Sequence, residues 1–205
     1  MNAVRPSPRD VDPASTAGMI GDHFAALGEA LRRNGEAMVK IQTWGQRLAE
    51  VYAAGGQLLA GGNGGSAAEA QHLTGELVGR FRGERRPLPA IALHADTSAA
   101  TAILNDYGED EYFARPVRAH GRPGDVLVTL STSGTSRNVL AAVKAAQELD
   151  ITTWALTGPG PNPLATMCTE AITVEAPTVA TIQEMHLVLI HALCMSLDKS
   201  LAGRP

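Results

Sequence analysis

The sequence predicts one α/β domain, a doubly wound three-layer sandwich with helices on both faces of a five-stranded parallel sheet. Five short, nearly continuous apolar runs alternate with helical patterns, the order expected of parallel strands that are buried on both faces. The 205 residues are enough for one such domain and short for two. Apolar residues make up 44% and aromatic residues only 4%, so the predicted core is mainly Ala, Leu and Val.

The N-terminal part precedes the first strand. Residues 1–16 are rich in Pro, Ser and Asp and are predicted to form a disordered tail, which leaves 17–205 as the folded domain. Between His23 and Tyr52, apolar residues recur every three or four positions, which predicts helix, and Gly35 is the expected division between two helices. Because these helices come before the sheet, we expect their second apolar face to pack against another subunit.

The rest of the chain supplies the sheet and the helices that cover it, each recognised by the spacing of its apolar residues. Strands are predicted at 57–62, 88–95, 125–131, 151–158 and 170–176. Helices are predicted at 66–80, 97–104, 109–119, 136–149, 162–167 and 180–200.

Charge and composition exclude several classes of partner. The formal net charge is −4, and the basic cluster at 79–87 is interrupted by Glu84, so nucleic acid is not an expected partner. No apolar run approaches the ~18 residues of a membrane span, and the N-terminus has no apolar segment typical of a signal peptide. We therefore expect a cytoplasmic protein that does not enter a membrane. Cys168 and Cys194 lie in no CxxC pair and are expected to be buried thiols.

The first loop of interest, GGNGGS at 61–66, follows a strand and opens a helix, where doubly wound sheets bind ligands. Its residues Asn63, Gly64, Gly65 and Ser66 are suited to close approach of a ligand to the backbone. The loop lacks the Lys-Ser/Thr of a P-loop, and its match to a dinucleotide pattern is weak. By itself it leaves a nucleotide, a phosphorylated sugar and a structural turn as alternatives.

The second loop, STSGTS at 131–136, points to phosphate. Five hydroxyls fall within six residues, and the N-terminus of the next helix adds free N–H groups and a positive dipole end. One serine would be explained by helix capping, but five hydroxyls favour an anion site. The hydroxyl residues are Ser131, Thr132, Ser133, Thr135 and Ser136.

Two pairs of residues are candidate metal ligands. His72 and Glu76 are four apart on one helix, and Gln183 and His191 are eight apart on another, so each pair shares a helix face. Two imidazoles and two oxygens suit Zn²⁺, although a His and a Glu at this spacing more often form a surface pair.

Other polar residues carry weaker signals. His94 and His186 have no partner at a metal-binding spacing and are expected to be satisfied or exposed. In LNDYG, Asn105 and Asp106 either bind sugar hydroxyls or form an Asx turn.

Four motifs in register carry a family resemblance: GGNGGSAAEAQHLTGEL, LNDYG, STSGTSRNVL and IQEMHLVLIH. Together they resemble sugar isomerase (SIS) domains, and specifically the phosphoheptose isomerase group, over roughly 35–198. The resemblance implies a homotetramer with active sites at subunit interfaces. It also implies the isomerisation of sedoheptulose 7-phosphate to D-glycero-D-manno-heptose 7-phosphate, with Zn²⁺, one ion per subunit, in many members.

The resemblance assigns roles by position. It implies that Glu76 and His191 are the catalytic base and acid. The implied metal ligands are His72, Glu76, Gln183 and His191. The resemblance and the local motifs together give the expected substrate contacts, which are Asn63, Gly64, Gly65, Ser66, Arg80, Asn105, Asp106, Ser131, Thr132, Ser133, Ser136 and Gln183.

One segment departs from the family pattern and keeps alternatives open. Residues 177–181 read PTVAT, without the Arg and the Asp-Thr that the family commonly has before Ile-Gln-Glu, so another phosphosugar substrate is an alternative. A non-catalytic SIS module, either a phosphosugar sensor or an adaptor for the replication initiator, is a second alternative. Retention of Glu76 and His191 favours the enzyme, because a sensor needs the phosphate loop but not the acid and base.

Overall fold

A computed structural model describes residues 13–202, in which helices and strands alternate as predicted. The helices are α1 (Pro13–Arg33), α2 (Ala37–Ala53), α3 (Gly65–Val78), α4 (Thr97–Tyr107), α5 (Glu111–His120), α6 (Arg137–Gln147), α7 (Pro163–Met167) and α8 (Val179–Ala202). The strands are β1 (Leu58–Gly62), β2 (Ala90–Ala92), β3 (Val126–Ser131), β4 (Thr152–Thr157) and β5 (Glu170–Thr173).

The predicted tail needs a correction. Helix α1 begins at Pro13, so the expectation of disorder is wrong for residues 13–16. The rest of that tail, residues 1–12, lies outside the described part of the chain. The division between two N-terminal helices is confirmed, because a turn at 34–36 that includes Gly35 separates α1 from α2.

The five strands form one parallel sheet in the order β2-β1-β3-β4-β5, which confirms the predicted fold class. Gly62 at the end of β1 pairs with Leu130 of β3, and Ser131 pairs with Thr157 of β4. The loops that follow β1 and β3 therefore leave the same edge of the sheet side by side.

Both edge strands are shorter than predicted. The apolar run at 88–95 contributes only Ala90–Ala92 to β2, because Pro89 has no N–H for the sheet ladder. The run at 170–176 contributes Glu170–Thr173. Helix α4 is instead longer than predicted and ends at Gly108, whose φ is +82°. Asn105 and Asp106 therefore lie in the last turn of a helix.

The two faces of the sheet bury separate cores, which is why the strands are apolar at successive positions. Leu58 faces a core built with α2, α3 and α8, whereas its neighbour Leu59 faces one built with α5, α6 and α7. Across the first core, the indole rings of Trp44 and Trp154 stack with 4.8 Å between their centroids. Burial of this apolar area is the main stabilising contribution to the fold.

Helix α8 connects this core to the site. It is long and apolar enough to cross a membrane by length and composition, yet it packs along α2 and α3, where Leu189, Leu193 and Leu197 are buried. The expected burial of both cysteines is confirmed. This burial raises the pKa of Cys168 to about 11 and that of Cys194 to about 12.

Candidate active site

The loop after β1 is shaped so that α3 starts close to α8. Gly64, with φ +57°, provides the left-handed turn into the helix. A Cβ on Gly65 would meet the side-chain amide of Gln183, so glycine here lets this amide lie directly against the start of α3. Gly65 and Gln183 thus meet where α3 begins, and Ser66 is buried beside them in the chain.

Three of the four predicted metal ligands come together between α3 and α8. The Nε2 atoms of His72 and His191 are 2.9 Å apart, and Nε2 of His72 lies 3.3 Å from Oε1 of Glu76. One ligand atom from each of the three residues lies within 4.8 Å of the other two. Glu76 is 20% exposed and His72 is 41% exposed, so the group borders solvent on one side.

These distances fit a tetrahedral metal. Ligands at about 2.0–2.1 Å from Zn²⁺ are separated by about 3.3 Å along each edge of the tetrahedron. The 3.3 Å between His72 and Glu76 equals that value, and the 2.9 Å between His72 and His191 is shorter than it. The fourth predicted ligand, Gln183, lies two helical turns before His191, at the Gly65 end of the interface. Two imidazoles and a carboxylate, from His72, His191 and Glu76, are the clustered donors, and they are of the kind that a divalent ion takes.

The hydroxyls of the loop after β3 make contacts within the loop itself. Gly134, with φ +64°, turns the loop against Asn162. Its N–H donates to Oγ of Ser131 at 3.2 Å, and Oγ of Ser136 lies 3.4 Å from that same oxygen. Ser136 precedes α6 without using its side chain as a cap, so helix capping does not account for this hydroxyl. On the outer side, Ser133 Oγ accepts from the Thr135 N–H at 3.3 Å.

The two loops are joined by an amide pair that the sequence did not reveal. Asn63 and Asn138 each donate from Nδ2 to the other's Oδ1 at 2.9 Å. Asn138 also accepts from the Val139 N–H at 2.9 Å, which fixes it at the start of α6. The partners are 75 residues apart, so no local pattern indicates the contact. The pair ties the predicted sugar loop to the predicted phosphate loop.

The remaining predicted contacts lie on exposed surface. Arg80 donates to Glu84 across an exposed turn at 3.3 Å, and Asn105 donates to Asp106 at 2.8 Å. These contacts do not bring Arg80, Asn105 or Asp106 to the group around Glu76. Their part in substrate binding stays a prediction, as does that of Thr132.

Two histidines outside the predicted site differ from each other. His186 is fully buried, with Nε2 3.1 Å from the carbonyl oxygen of Thr157 and Nδ1 3.7 Å from Oε2 of Glu69. His94 is half-buried, and its ring nitrogens have no hydrogen-bond partner among the described residues. Burial lowers the pKa of His94, which favours the neutral ring.

The segment that departs from the family pattern has a local role. The Thr181 N–H donates to Oγ1 of Thr178 at 3.2 Å, and the two hydroxyls are 2.9 Å apart. This arrangement caps the first turn of α8 with neutral groups. The helix that carries Gln183 and His191 is therefore started without the charged residues expected there.

Comparisons with known proteins agree with this geometry. The sequence model of the SIS domain matches residues 22–158. The curated phosphoheptose isomerase of Streptomyces coelicolor is 62% identical to this chain, and the match covers 78% of this chain and 69% of the relative. The curated phosphoheptose isomerase of Neisseria meningitidis serogroup A is 46% identical, and the match covers 89% of this chain and 94% of the relative. The chain belongs to the SIS-domain phosphoheptose isomerase family. The solved phosphoheptose isomerase of Neisseria gonorrhoeae superposes with a TM-score of 0.80 at 43% identity, covering 91% of this chain and 98% of that one.

Proposed function

We propose that this protein is a ketose–aldose isomerase that interconverts sedoheptulose 7-phosphate and D-glycero-D-manno-heptose 7-phosphate. The observation that carries the proposal is the Glu76 carboxylate held beside the imidazoles of His72 and His191, in a chain of the phosphoheptose isomerase family. A carboxylate and imidazoles at one point supply a base and an acid for proton transfer. The hydroxyl loop at 131–136 supplies the matching site for a phosphate.

The reaction moves one proton between C1 and C2 of the sugar through an enediol. Glu76 takes the proton from one carbon and returns it to the other. His191, across the interface between α3 and α8, donates to the carbonyl oxygen and recovers the proton from the new hydroxyl. Because the reacting carbons and the phosphate are at opposite ends of a heptose, the two half-sites must be separated. His72 lies seven residues beyond Gly65, about 10 Å along α3, which supports this arrangement.

We propose that Zn²⁺, one ion per subunit, is held by His72, Glu76, Gln183 and His191. The clustering of His72, Glu76 and His191 supports it, since one ligand atom of each lies within 4.8 Å of the others. Such an ion supplies a Lewis acid that polarises the substrate carbonyl. A metal-bound carboxylate is a weaker base, so Glu76 either serves as both ligand and base or exchanges between the two roles.

Metal removal gives a direct measurement. Dialysis against a chelator is expected to lower kcat at least tenfold, and added Zn²⁺ is expected to restore it at one equivalent per subunit. The expected loss follows from the weaker polarisation of the carbonyl. Metal analysis and calorimetric titration of Zn²⁺ into chelated protein check the stoichiometry. Full activity in protein shown to contain no metal would contradict the proposal.

Ser133→Ala tests the phosphate loop. The substitution is expected to raise KM for the heptose phosphate about tenfold or more, because a hydrogen bond to a charged group contributes roughly 1.5–3 kcal/mol. We expect kcat to change much less, since the reacting carbons are remote from this loop. Steady-state kinetics check both values, with Ser200→Ala on the last turns of α8 as the matched control. An unchanged KM would remove Ser133 from phosphate binding.

The assembly and location follow the family prediction. We propose a homotetramer in the cytoplasm, with phosphosugar as its ligand and neither nucleic acid nor membrane as a partner. The outer face of α1 supports subunit packing, because Met19, Ile20 and Phe24 are exposed there. Light scattering coupled to size exclusion measures the mass. A monomer that is fully active would exclude active sites shared between subunits.

One experiment tests the central proposal. Metal-replete protein is incubated with sedoheptulose 7-phosphate, and the aldose product is sought by NMR. Product formation is the expected result. Binding of the phosphosugar without turnover would instead favour the sensor or adaptor. Turnover of a different phosphosugar alone would favour the alternative substrate that the altered segment at 177–181 leaves open.

A further inference from the structure

Arg85 joins the two helices that carry the proposed acid and base. Its side chain, only 12% exposed, donates from Nε to Oδ1 of Asp198 on α8 at 2.8 Å. The same guanidinium donates from Nη2 to the main-chain oxygen of Glu76 at 2.7 Å and from Nη1 to that of Leu77 at 2.9 Å. We infer that Arg85 is a positioning residue that sets the distance between Glu76 and His191.

The bonds to α3 are made where the helix needs partners. Helix α3 ends at Val78, so the carbonyls of Glu76 and Leu77 belong to its last turn and lack the usual helical donors. A cation at this end also complements the helix dipole. The Leu88 N–H donates to the Leu77 oxygen as well, at 3.0 Å, so the returning chain reinforces the contact. Arg85 therefore holds the backbone of Glu76 itself.

The bond to α8 acts on the other proposed catalytic residue. Asp198 lies seven residues beyond His191, two turns along the same side of α8. A shift of α8 relative to α3 would separate Arg85 from Asp198 and would also change the 2.9 Å between His72 and His191. A planar guanidinium can meet three acceptors in fixed directions, which an ammonium cannot do. The side chain thus fixes one helix against the other.

This role predicts a kinetic signature. Arg85 binds main-chain oxygens and Asp198, so it reaches the chemistry only through Glu76 and His191. Displacing a catalytic group by about 1 Å costs on the order of 10²-fold in rate. Loss of Arg85 should therefore lower kcat and leave KM largely unchanged. The phosphate loop follows the carboxyl end of β3, whereas Arg85 binds the last turn of α3. The inference rests on the proposed isomerase activity, which is measured first on the unchanged protein.

The test compares Arg85→Ala, Arg85→Lys and Arg86→Ala. Arg86 is the adjacent arginine with an exposed side chain, and it serves as the matched control. For both Arg85 variants we expect kcat to fall at least tenfold with KM within about threefold, and for Arg86→Ala we expect no change. Titration of Zn²⁺ into metal-free protein should show about tenfold weaker binding in the Arg85 variants, as for other residues that orient metal ligands. Added guanidinium should partly restore kcat in Arg85→Ala.

The outcomes separate the two proposals. If the unchanged protein does not isomerise the heptose phosphate, the proposed function fails. If it does, and folded Arg85→Lys keeps both its kcat and its Zn²⁺ affinity, the positioning role is overturned. Should Arg85→Ala fail to fold, Arg85→Lys decides, since it keeps the positive charge at the end of α3. If the Arg85 variants are less stable but keep a normal kcat per folded subunit, that result would also count against the inference.

Discussion

Glu76→Gln is expected to lower kcat by about 10²–10⁴-fold, the range that a general base contributes. Glutamine has nearly the shape of glutamate and keeps one carbonyl oxygen beside His72, but it cannot accept the substrate proton. Arg85 donates to the main-chain oxygen of Glu76 and not to its carboxylate, so the substitution should leave the fold of α3 unaffected. Steady-state kinetics with sedoheptulose 7-phosphate check the rate, and size exclusion checks assembly.

The same variant separates the two roles of Glu76. If the carboxylate is the base, exchange of the C1 and C2 hydrogens with deuterated water should stop in Glu76→Gln while Zn²⁺ remains bound. If it acts only as a ligand, metal content and activity should fall together and excess Zn²⁺ should restore both. Glu84→Gln, on an exposed turn of the same region, is the control. Near-normal turnover in Glu76→Gln would remove this residue from the mechanism.

The fold was predictable because a sheet that is buried on both faces needs apolar side chains at consecutive strand positions. Leu58 and Leu59 face opposite cores, and such runs between helical patterns indicate a covered parallel sheet. The edge strand at Ala90–Ala92 was overestimated, because an apolar run does not show where ladder bonds stop. The turn of helix at Pro13 was missed, because the composition of a segment does not show where a helix begins.

The site was predictable where its residues are close in sequence. His72 and Glu76 are one helical turn apart, and the hydroxyl loop is continuous, so helix geometry and composition singled out these residues, while their roles came from the family resemblance. Contacts between distant parts of the chain could not be derived in this way. Arg85 and Asp198 are separated by 113 residues and make an ion pair of opposite charges that many other pairs could equally have made.

The buried contact between Glu69 and His186 also joins distant parts of the chain, and it predicts a large effect on stability. The Thr157 carbonyl can only accept a hydrogen bond, so Nε2 of His186 must carry a hydrogen. Its Nδ1 then faces Oε2 of Glu69 at 3.7 Å, and neither atom has a hydrogen-bond partner among the described residues. The Glu69 carboxylate is therefore the polar group that faces this buried ring nitrogen.

Glu69→Leu is therefore expected to lower the free energy of unfolding by about 1–3 kcal/mol, because an apolar side chain would leave Nδ1 of His186 buried with no polar group facing it. Glu69→Gln should cost only about 1 kcal/mol, because its amide can donate to Nδ1 of a neutral His186. Urea denaturation of the metal-free proteins, at the same protein concentration, measures the free energy of unfolding of both variants. Equal stabilities of the two variants would show that a polar group at position 69 contributes nothing to this contact. The pair links α3 three residues before His72 to α8 five residues before His191, so Glu69→Leu should also weaken Zn²⁺ binding more than Glu69→Gln.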